Sequence, residues 1–417
     1  MKPPPMGLLP TRTIQWPWHG IYINQKPACN ANQFFVPSVS PYGKYTDRWR
    51  GKVAKPTQCF CTHILVKCIL TTLNSRACGQ SKLNIGRRNR SITGAGRMGE
   101  QEVKQAGVLI TYNPISYLIE SLDSKFTIYK LYEAHDREGF LAEHSQSIRG
   151  VVCGGHDGIN AQLMDALTCL EIVAVNGVGF DRVDLAKCRQ RNIAVSNTPD
   201  VLTDDVADLA MALMLDALRQ ISASDRYVRQ GLWQSKGDYK LTCKLSGKRV
   251  GIVGLGRIGL AIAKRAQAFG CSIAYHSRSK KSDVSFMYHS NVIDLAASSD
   301  VLVVACSLTK DTRHIINKSV LDALGAKGTL VNIGRGALVD EEELVKALVE
   351  GRIQGAGLDV FEDEPHVPQE LYSLENVVLL PHVGSGTWET RKAMADLVVG
   401  NLEAHFLKKP LLTPVPL

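Results

Sequence analysis

Three short segments near the end of the chain carry residue types suited to acid–base chemistry on an anionic substrate. Val331-Asn332-Ile333-Gly334-Arg335-Gly336 places an arginine just past an apolar, strand-like run, where ligands gather in open α/β sheets. Leu358-Asp359-Val360-Phe361-Glu362-Asp363-Glu364-Pro365 places a cluster of acids past the next run, and Leu380-Pro381-His382-Val383-Gly384-Ser385 supplies a histidine after a third. A guanidinium can grip a carboxylate and polarise a carbonyl through charge-assisted hydrogen bonds. An imidazole can give a proton to a developing alkoxide, and a carboxylate on its far ring nitrogen fixes the ring and favours the charged form. Taken singly, each residue also has a structural reading: Arg335 as a surface ion pair, Glu364 as a solvated loop acid, His382 as a satisfied buried histidine.

A fourth segment, Gly254-Leu255-Gly256-Arg257-Ile258-Gly259, reads G-x-G-x-x-G directly after the apolar run Arg249–Val253 and at the start of a predicted helix over Ile258–Phe269. Such glycines permit a tight turn, close backbone approach to a pyrophosphate and close packing of helix on strand, and the helix N-terminus offers free N–H groups to phosphates. Residues Gly254 through Gly259 are therefore the expected pyrophosphate contacts, and Ile333, Gly334 and Asp359, past later strands, are further expected cofactor contacts. The usual second part of this signature is an acid about 20 residues on, at the end of the next strand. Here that place holds His276-Ser277-Arg278-Ser279-Lys280-Lys281, with no acid before Asp283. Ser277, Arg278 and Ser279 suit a ribose 2′-phosphate, so NADPH is expected over NADH, with NAD(H) still possible. A solvated basic loop is the alternative.

The elements that must position these groups are legible as an alternation. From Gly107 the runs Val108–Thr111, Tyr117–Leu122, Gly150–Cys153, Ala161–Leu167, Ile172–Val175 and Val183–Arg191 follow a strand–helix rhythm, which implies a mainly parallel sheet. Asp204–Ile221 holds neither Gly nor Pro and is apolar nearly all round, so a helix buried between domains is expected there. A second alternation follows through Arg249–Val253, Ser272–Tyr275, Val301–Ala305, Thr329–Ile333, Glu341–Glu350, Ala356–Asp359 and Val377–Leu379. The expected organisation is an N-terminal extension without structure over 1–106, a flavodoxin-like substrate domain over 107–203 completed by 387–417, and a Rossmann-type cofactor domain over 204–386.

Composition narrows the class. The chain has 417 residues, 45% hydrophobic and 21% charged, which is ordinary for globular proteins and excludes disorder of the whole. No apolar stretch reaches the ~20 residues that a spanning helix needs. The net charge of +9 is not spread evenly: residues 1–97 hold 15 Lys and Arg against one acid, Asp47, and nine of the 17 prolines, whereas the remainder is net acidic. That segment shows no sustained period, and its charge alone does not make a nucleic-acid-binding motif. No C-x-x-C pair occurs among the 11 cysteines; reduced thiols are expected, and the chemistry above calls for no metal.

Together the arginine, acid and histidine segments resemble the D-isomer-specific 2-hydroxyacid dehydrogenase family in order and spacing. The resemblance runs from about Gly107 to the end, some 311 residues, and includes Asn197-Thr198-Pro199-Asp200-Val201-Leu202-Thr203-Asp204-Asp205-Val206-Ala207-Asp208, similar to the family's hinge into its long interdomain helix. Within the family it is most similar to the plant hydroxypyruvate, glyoxylate and hydroxyphenylpyruvate reductases. The resemblance implies Arg335 for the substrate's carboxylate and carbonyl, His382 as acid and base, and Glu364 as its hydrogen-bonded partner. Asn176-Gly177-Val178-Gly179 resembles the family's carboxylate-binding loop, with Val178 and Gly179 as substrate contacts. Residues 1–97 match nothing in that pattern, and a chain starting at Met98 would keep every motif named.

Two other readings stay open at this stage: a phosphoglycerate dehydrogenase-like enzyme, and a dinucleotide-sensing corepressor-type binding protein that retains the same residues. The apolar segment from Asp204 through Trp233 leads to an expected homodimer interface. The expected compartment is the cytosol, while an Arg-rich, acid-poor start is also compatible with an organelle transit peptide.

Overall fold

The computed structural model describes residues 104–417. The extension expected over 1–106 therefore lies outside the described residues except at its end, where the expectation needs correction. Ala106 is fully buried and its carbonyl accepts a hydrogen bond from Thr127 N–H, so this residue packs with the first sheet.

Two parallel sheets organise the chain. The first comprises β1 (Gly107–Ile110), β2 (Thr127–Lys130), β3 (Ile148–Gly154), β4 (Ile172–Asn176) and β5 (Ala194–Ser196), in the order β2-β1-β3-β4-β5, the flavodoxin-like order. The second comprises β6 (Arg249–Val253), β7 (Ser272–His276), β8 (Met287–His289), β9 (Val301–Val304), β10 (Thr329–Asn332), β11 (Gly355–Leu358) and β12 (Val377–Leu379), in the order β12-β11-β10-β9-β6-β7-β8. That is the dinucleotide-binding order extended by one strand. The central strands are short runs of Val, Ile and Leu, buried throughout in β1, β4, β9 and β10, as expected of parallel strands covered on both faces. In each sheet the strand order reverses once, between β1 and β3 and between β6 and β9. Beyond the carboxyl ends of strands at such points lies the crevice where ligands bind.

Helix Thr203–Arg219 lies over the second sheet and differs from the expected all-round burial. Val206, Ala210, Leu213, Met214 and Leu218 face inward, but Asp204, Asp208, Ala212 and Arg219 are exposed. A left-handed Gln220, with φ of 50°, ends it and a new helix runs over Ile221–Arg229. The packing is close: a Cβ on Gly357 of β11 would lie 3.0 Å from Leu213.

The last helix, Trp388–Phe406, returns to the first sheet, where Val398, Leu402 and Phe406 join Val152, Ile172 and Ala174 in one apolar cluster. Beyond it Val415 N–H donates to Val195 O, tying the end of the chain to β5. Three strands that the sequence reading did not single out, β2, β5 and β8, are short and lie at or near sheet edges.

Candidate active site

The glycine loop follows β6, and two of its three glycines answer different steric demands. Gly254 has φ of 98°, and a Cβ there would meet the Cys306 backbone at 2.6 Å. A Cβ at Gly259 would collide with the Gly254 carbonyl oxygen, so that glycine lets helix Arg257–Ala268 lie against the strand. Around Gly256 the space is open. Gly256 also caps the helix without any side-chain hydrogen bond, which leaves the helix N–H groups available to an anion. The residues present thus fit a dinucleotide pyrophosphate. Leu255 turns its side chain into the core, Ile258 packs against that core, and Arg257 pairs with Asp200 at 2.6 Å.

The loop after β7 lies beside the glycine loop, since Gly254 N–H donates to His276 O at 2.8 Å. Ser277 Oγ donates to Ser279 O and Lys281 N–H to the Tyr275 hydroxyl, so the loop is internally braced. Arg278 is exposed and makes no ion pair among the described residues.

Past β10 the buried Asn332 shapes the arginine turn: its Oδ1 accepts from Gly334 N–H and its Nδ2 donates to Arg335 O. Ile333, 8% exposed, packs in the core. Arg335 Nη1 donates to Gly334 O, and Nε donates to Asp181, 3.1 and 3.3 Å from its two oxygens. Nη2 lies so close over Gly179 that a Cβ there would collide with it. The N–H groups of Val178 and Gly179 donate to no protein acceptor among the described residues. Behind them Asn197 Nδ2 donates to Val178 O, and Asn176 Nδ2 to the Tyr112 hydroxyl. Burial pushes the Tyr112 phenol up to about 12, so it stays neutral. A cationic guanidinium thus lies against a loop whose N–H groups at Val178 and Gly179 are left without a protein acceptor among the described residues.

His382 follows β12 with φ of 51°, an uncommon conformation for a side chain of its size. Asp359, buried at the end of β11, sustains it by accepting Val383 N–H at 2.7 Å and Gly384 N–H at 2.8 Å. Burial pushes the Asp359 carboxyl up, and these amides and His382 offset this only in part. The sequence reading counts Asp359 among the cofactor contacts; its visible task is to hold the histidine loop.

Glu364 Oε2 accepts from His382 Nδ1 at 2.9 Å, leaving Nε2 of that ring for a substrate, while Oε1 accepts from Phe361 N–H. Burial alone would raise the Glu364 carboxyl. Hydrogen bonds from His156, His382 and Phe361, with the electrostatic pull of His382, outweigh it and hold the group well below the usual carboxylate range.

The structure also supplies two residues that the sequence reading missed, both from loops of the first sheet: Asp181 behind Arg335, and His156, whose Nδ1 lies 2.9 Å from the same Glu364 Oε2. The His156 and His382 rings meet edge-on, centroids 4.0 Å apart. The only forewarning of His156 was its place after Gly154-Gly155 at a strand end. Gly155, Asp181, Arg335, Glu364 and His382 line one small cavity. A larger hollow beside Asp200, Arg257 and Lys264 holds no comparable acid–base pair, so the smaller one is where chemistry converges.

A glycine-loop parallel sheet, an arginine and a carboxylate-held histidine at adjacent strand ends define a dinucleotide-dependent oxidoreductase. The chain belongs to the D-isomer-specific 2-hydroxyacid dehydrogenase family, whose NAD-binding-domain model matches residues 211–384. It is similar to a hydroxyphenylpyruvate reductase of Plectranthus scutellarioides, 61% identical over 309 residues that cover 74% of this chain and 98% of that one. A glyoxylate/hydroxypyruvate reductase of Arabidopsis thaliana is 58% identical over 75% of this chain and 100% of its own length. Among solved structures, the NADPH-dependent glyoxylate/hydroxypyruvate reductase of Sinorhizobium meliloti, in complex with NADP and malonate, aligns with a TM-score of 0.71. It is 45% identical and covers 75% of this chain and 97% of that one.

Proposed function

We propose that this enzyme reduces small 2-keto acids, namely hydroxypyruvate, glyoxylate and hydroxyphenylpyruvate, to D-2-hydroxy acids with NADPH in preference to NADH. The observation that carries the reading is the 2.9 Å contact of His382 Nδ1 with Glu364, in a cavity shared with an arginine whose Nη2 lies against Gly179. Names of relatives support the substrate class, and the acid-free loop with Arg278 supports the cofactor choice.

The substrate's carboxylate sits against Arg335 Nη2 and the N–H groups of Val178 and Gly179, an arrangement that fixes its orientation and polarises the adjacent carbonyl. When bound along Gly254–Gly259, with Ile333, Gly334 and Asp359 nearby, the nicotinamide cofactor supplies the hydride. His382 Nε2 gives its proton to the developing alkoxide oxygen, and Glu364 holds the ring in place and stabilises its charged form. In the reverse direction the same nitrogen takes the proton back.

The first sheet with its returning C-terminal segment serves as the substrate domain over 107–203 and 387–417, and residues 204–386 as the cofactor domain. Residues 1–97 are dispensable, which limited proteolysis followed by assay tests. Two chains pair through the surface of Ile221, Val228 and Trp233, all more than half exposed. No helix among the described residues is long and apolar enough to cross a membrane. The compartment is the cytosol, tested by imaging a fluorescent fusion of the full chain.

The deciding assay follows oxidation of NADPH and NADH with glyoxylate, hydroxypyruvate, 4-hydroxyphenylpyruvate and 3-phosphohydroxypyruvate. Turnover of the first three is expected. Turnover of the fourth alone would make it a phosphoglycerate-type enzyme, and silence with all four would overturn the reductase reading.

A further inference from the structure

His156 stands outside the reaction just derived, in which Arg335, the two amides, His382 and Glu364 meet every demand of the substrate. What it adds is a third donor atom at one point. His156 Nδ1 and His382 Nδ1 each lie 2.9 Å from Glu364 Oε2, and the three donor atoms fall within 4.8 Å of one another. They come from segments that follow β3, β11 and β12. Two imidazole nitrogens and one carboxylate oxygen form a known three-ligand set for mononuclear zinc, which leaves a further position for water.

The geometry needs an adjustment that one ring can supply. Ligands stand about 2.0–2.2 Å from zinc, so neighbouring donors in a tetrahedral shell are roughly 3.3 Å apart. The two nitrogen–oxygen separations of 2.9 Å would open by about 0.4 Å on that reckoning, and the two ring nitrogens, which lie within 4.8 Å of each other, would close by up to about 1.5 Å. His156 can supply the movement, because its side chain is 46% exposed, against 17% for Glu364 and 24% for His382. Magnesium is a poor candidate, since it prefers six oxygen ligands.

We propose that His156, Glu364 and His382 bind a divalent transition-metal ion of the zinc class, and that the bound ion switches reduction off. The ion takes the seat of the protons that link both rings to Glu364. Ligated through Nδ1, the His382 ring keeps its remaining proton on Nε2 as part of a neutral imidazole, a far weaker acid than imidazolium. Arg335, Val178 and Gly179 are untouched, so substrate binding persists while proton transfer fails. This inhibitory consequence rests on the acid role proposed for His382; the binding site itself does not.

The test uses the full chain, dialysed against a chelator and titrated with Co2+, whose visible absorption reports a tetrahedral site. One Co2+ per chain is expected, displaced by Zn2+ and not by Mg2+. His156→Asn should weaken Co2+ binding at least about 10- to 100-fold, the range seen when even an outer-shell partner is lost. In the reductase assay, saturating Zn2+ should lower kcat at least about 10-fold while KM for the keto acid stays within about twofold. Equal Co2+ affinity in folded His156→Asn, or no Co2+ spectrum from wild type at millimolar ion, overturns the site. Zn2+ that raises KM and spares kcat overturns the switch. Because absorption needs no turnover, the site is decided even if the protein reduces none of the keto acids.

Discussion

Asp181 holds Arg335 by its Nε edge, 3.1 and 3.3 Å from the two carboxylate oxygens, and leaves Nη2 lying against Gly179. The pair is largely shielded, at 14% and 22% side-chain exposure, and joins a loop of the first sheet to a loop of the second. Asp181 thus does for the arginine what Glu364 does for the histidine. Asp181→Ala should lower kcat/KM for keto acids about 10-fold, the worth of one charge-assisted hydrogen bond of about 1.5 kcal/mol. KM for NADPH should not move. Steady-state kinetics with hydroxypyruvate decides it, and an unchanged kcat/KM would assign Asp181 no part in positioning.

The proposed cofactor choice rests on Arg278. A 2′-phosphate brings about two negative charges, which an acid would repel and an arginine can pair with. One such contact is worth roughly 1.5–3 kcal/mol, or about 10- to 150-fold in affinity. Arg278→Ala should raise KM for NADPH by a factor in that range and leave KM for NADH nearly unchanged. Equal efficiency of wild type with the two cofactors would contradict the assignment.

Much of this site could be read in the sequence, because its parts are locally encoded. Three glycines fall within six residues directly after a buried strand, Gly254 and Gly259 with separate steric reasons to be glycine, and strands Arg249–Val253 and Val377–Leu379 coincide with the apolar runs that announced them. What escaped was encoded across distance. His156 meets Glu364 across 208 positions and Asp181 meets Arg335 across 154, and a lone polar residue in a loop has no periodicity to betray it. The missed strand β8 is three half-exposed residues at a sheet edge, with no continuous apolar face. The long helix misled for a related reason: on its exposed face Ala212 counts as apolar while packing against nothing that demands it.

Glu364 links the site to stability. Its carboxyl is held well below the usual range in the folded chain, so folding is favoured wherever the unfolded carboxyl, near ~4.3, is also ionised. That contribution is complete above about pH 5 and is lost as pH falls through the unfolded and then the folded value. The Tm gap between wild type and Glu364→Gln should therefore be largest near neutrality and shrink toward pH 3. A gap that widens on acidification would contradict the sign.

The proposed dimer rests on exposed apolar surface. Ile221, Val228 and Trp233 are 52%, 54% and 59% exposed within one stretch of chain, more than an isolated surface helix usually leaves to water. Light scattering at micromolar concentration should give the mass of two chains, and Trp233→Glu should shift it toward one. A wild-type monomer at that concentration would end the interface proposal.

The central claim is that His382 delivers the proton, and the direct measurement is kcat of His382→Ala with saturating NADPH and hydroxypyruvate. A fall on the order of 10²- to 10⁴-fold is expected, the usual worth of a positioned general acid, with KM for NADPH unaltered. A variant that turns over within a few-fold of wild type, with the same pH profile, would contradict it.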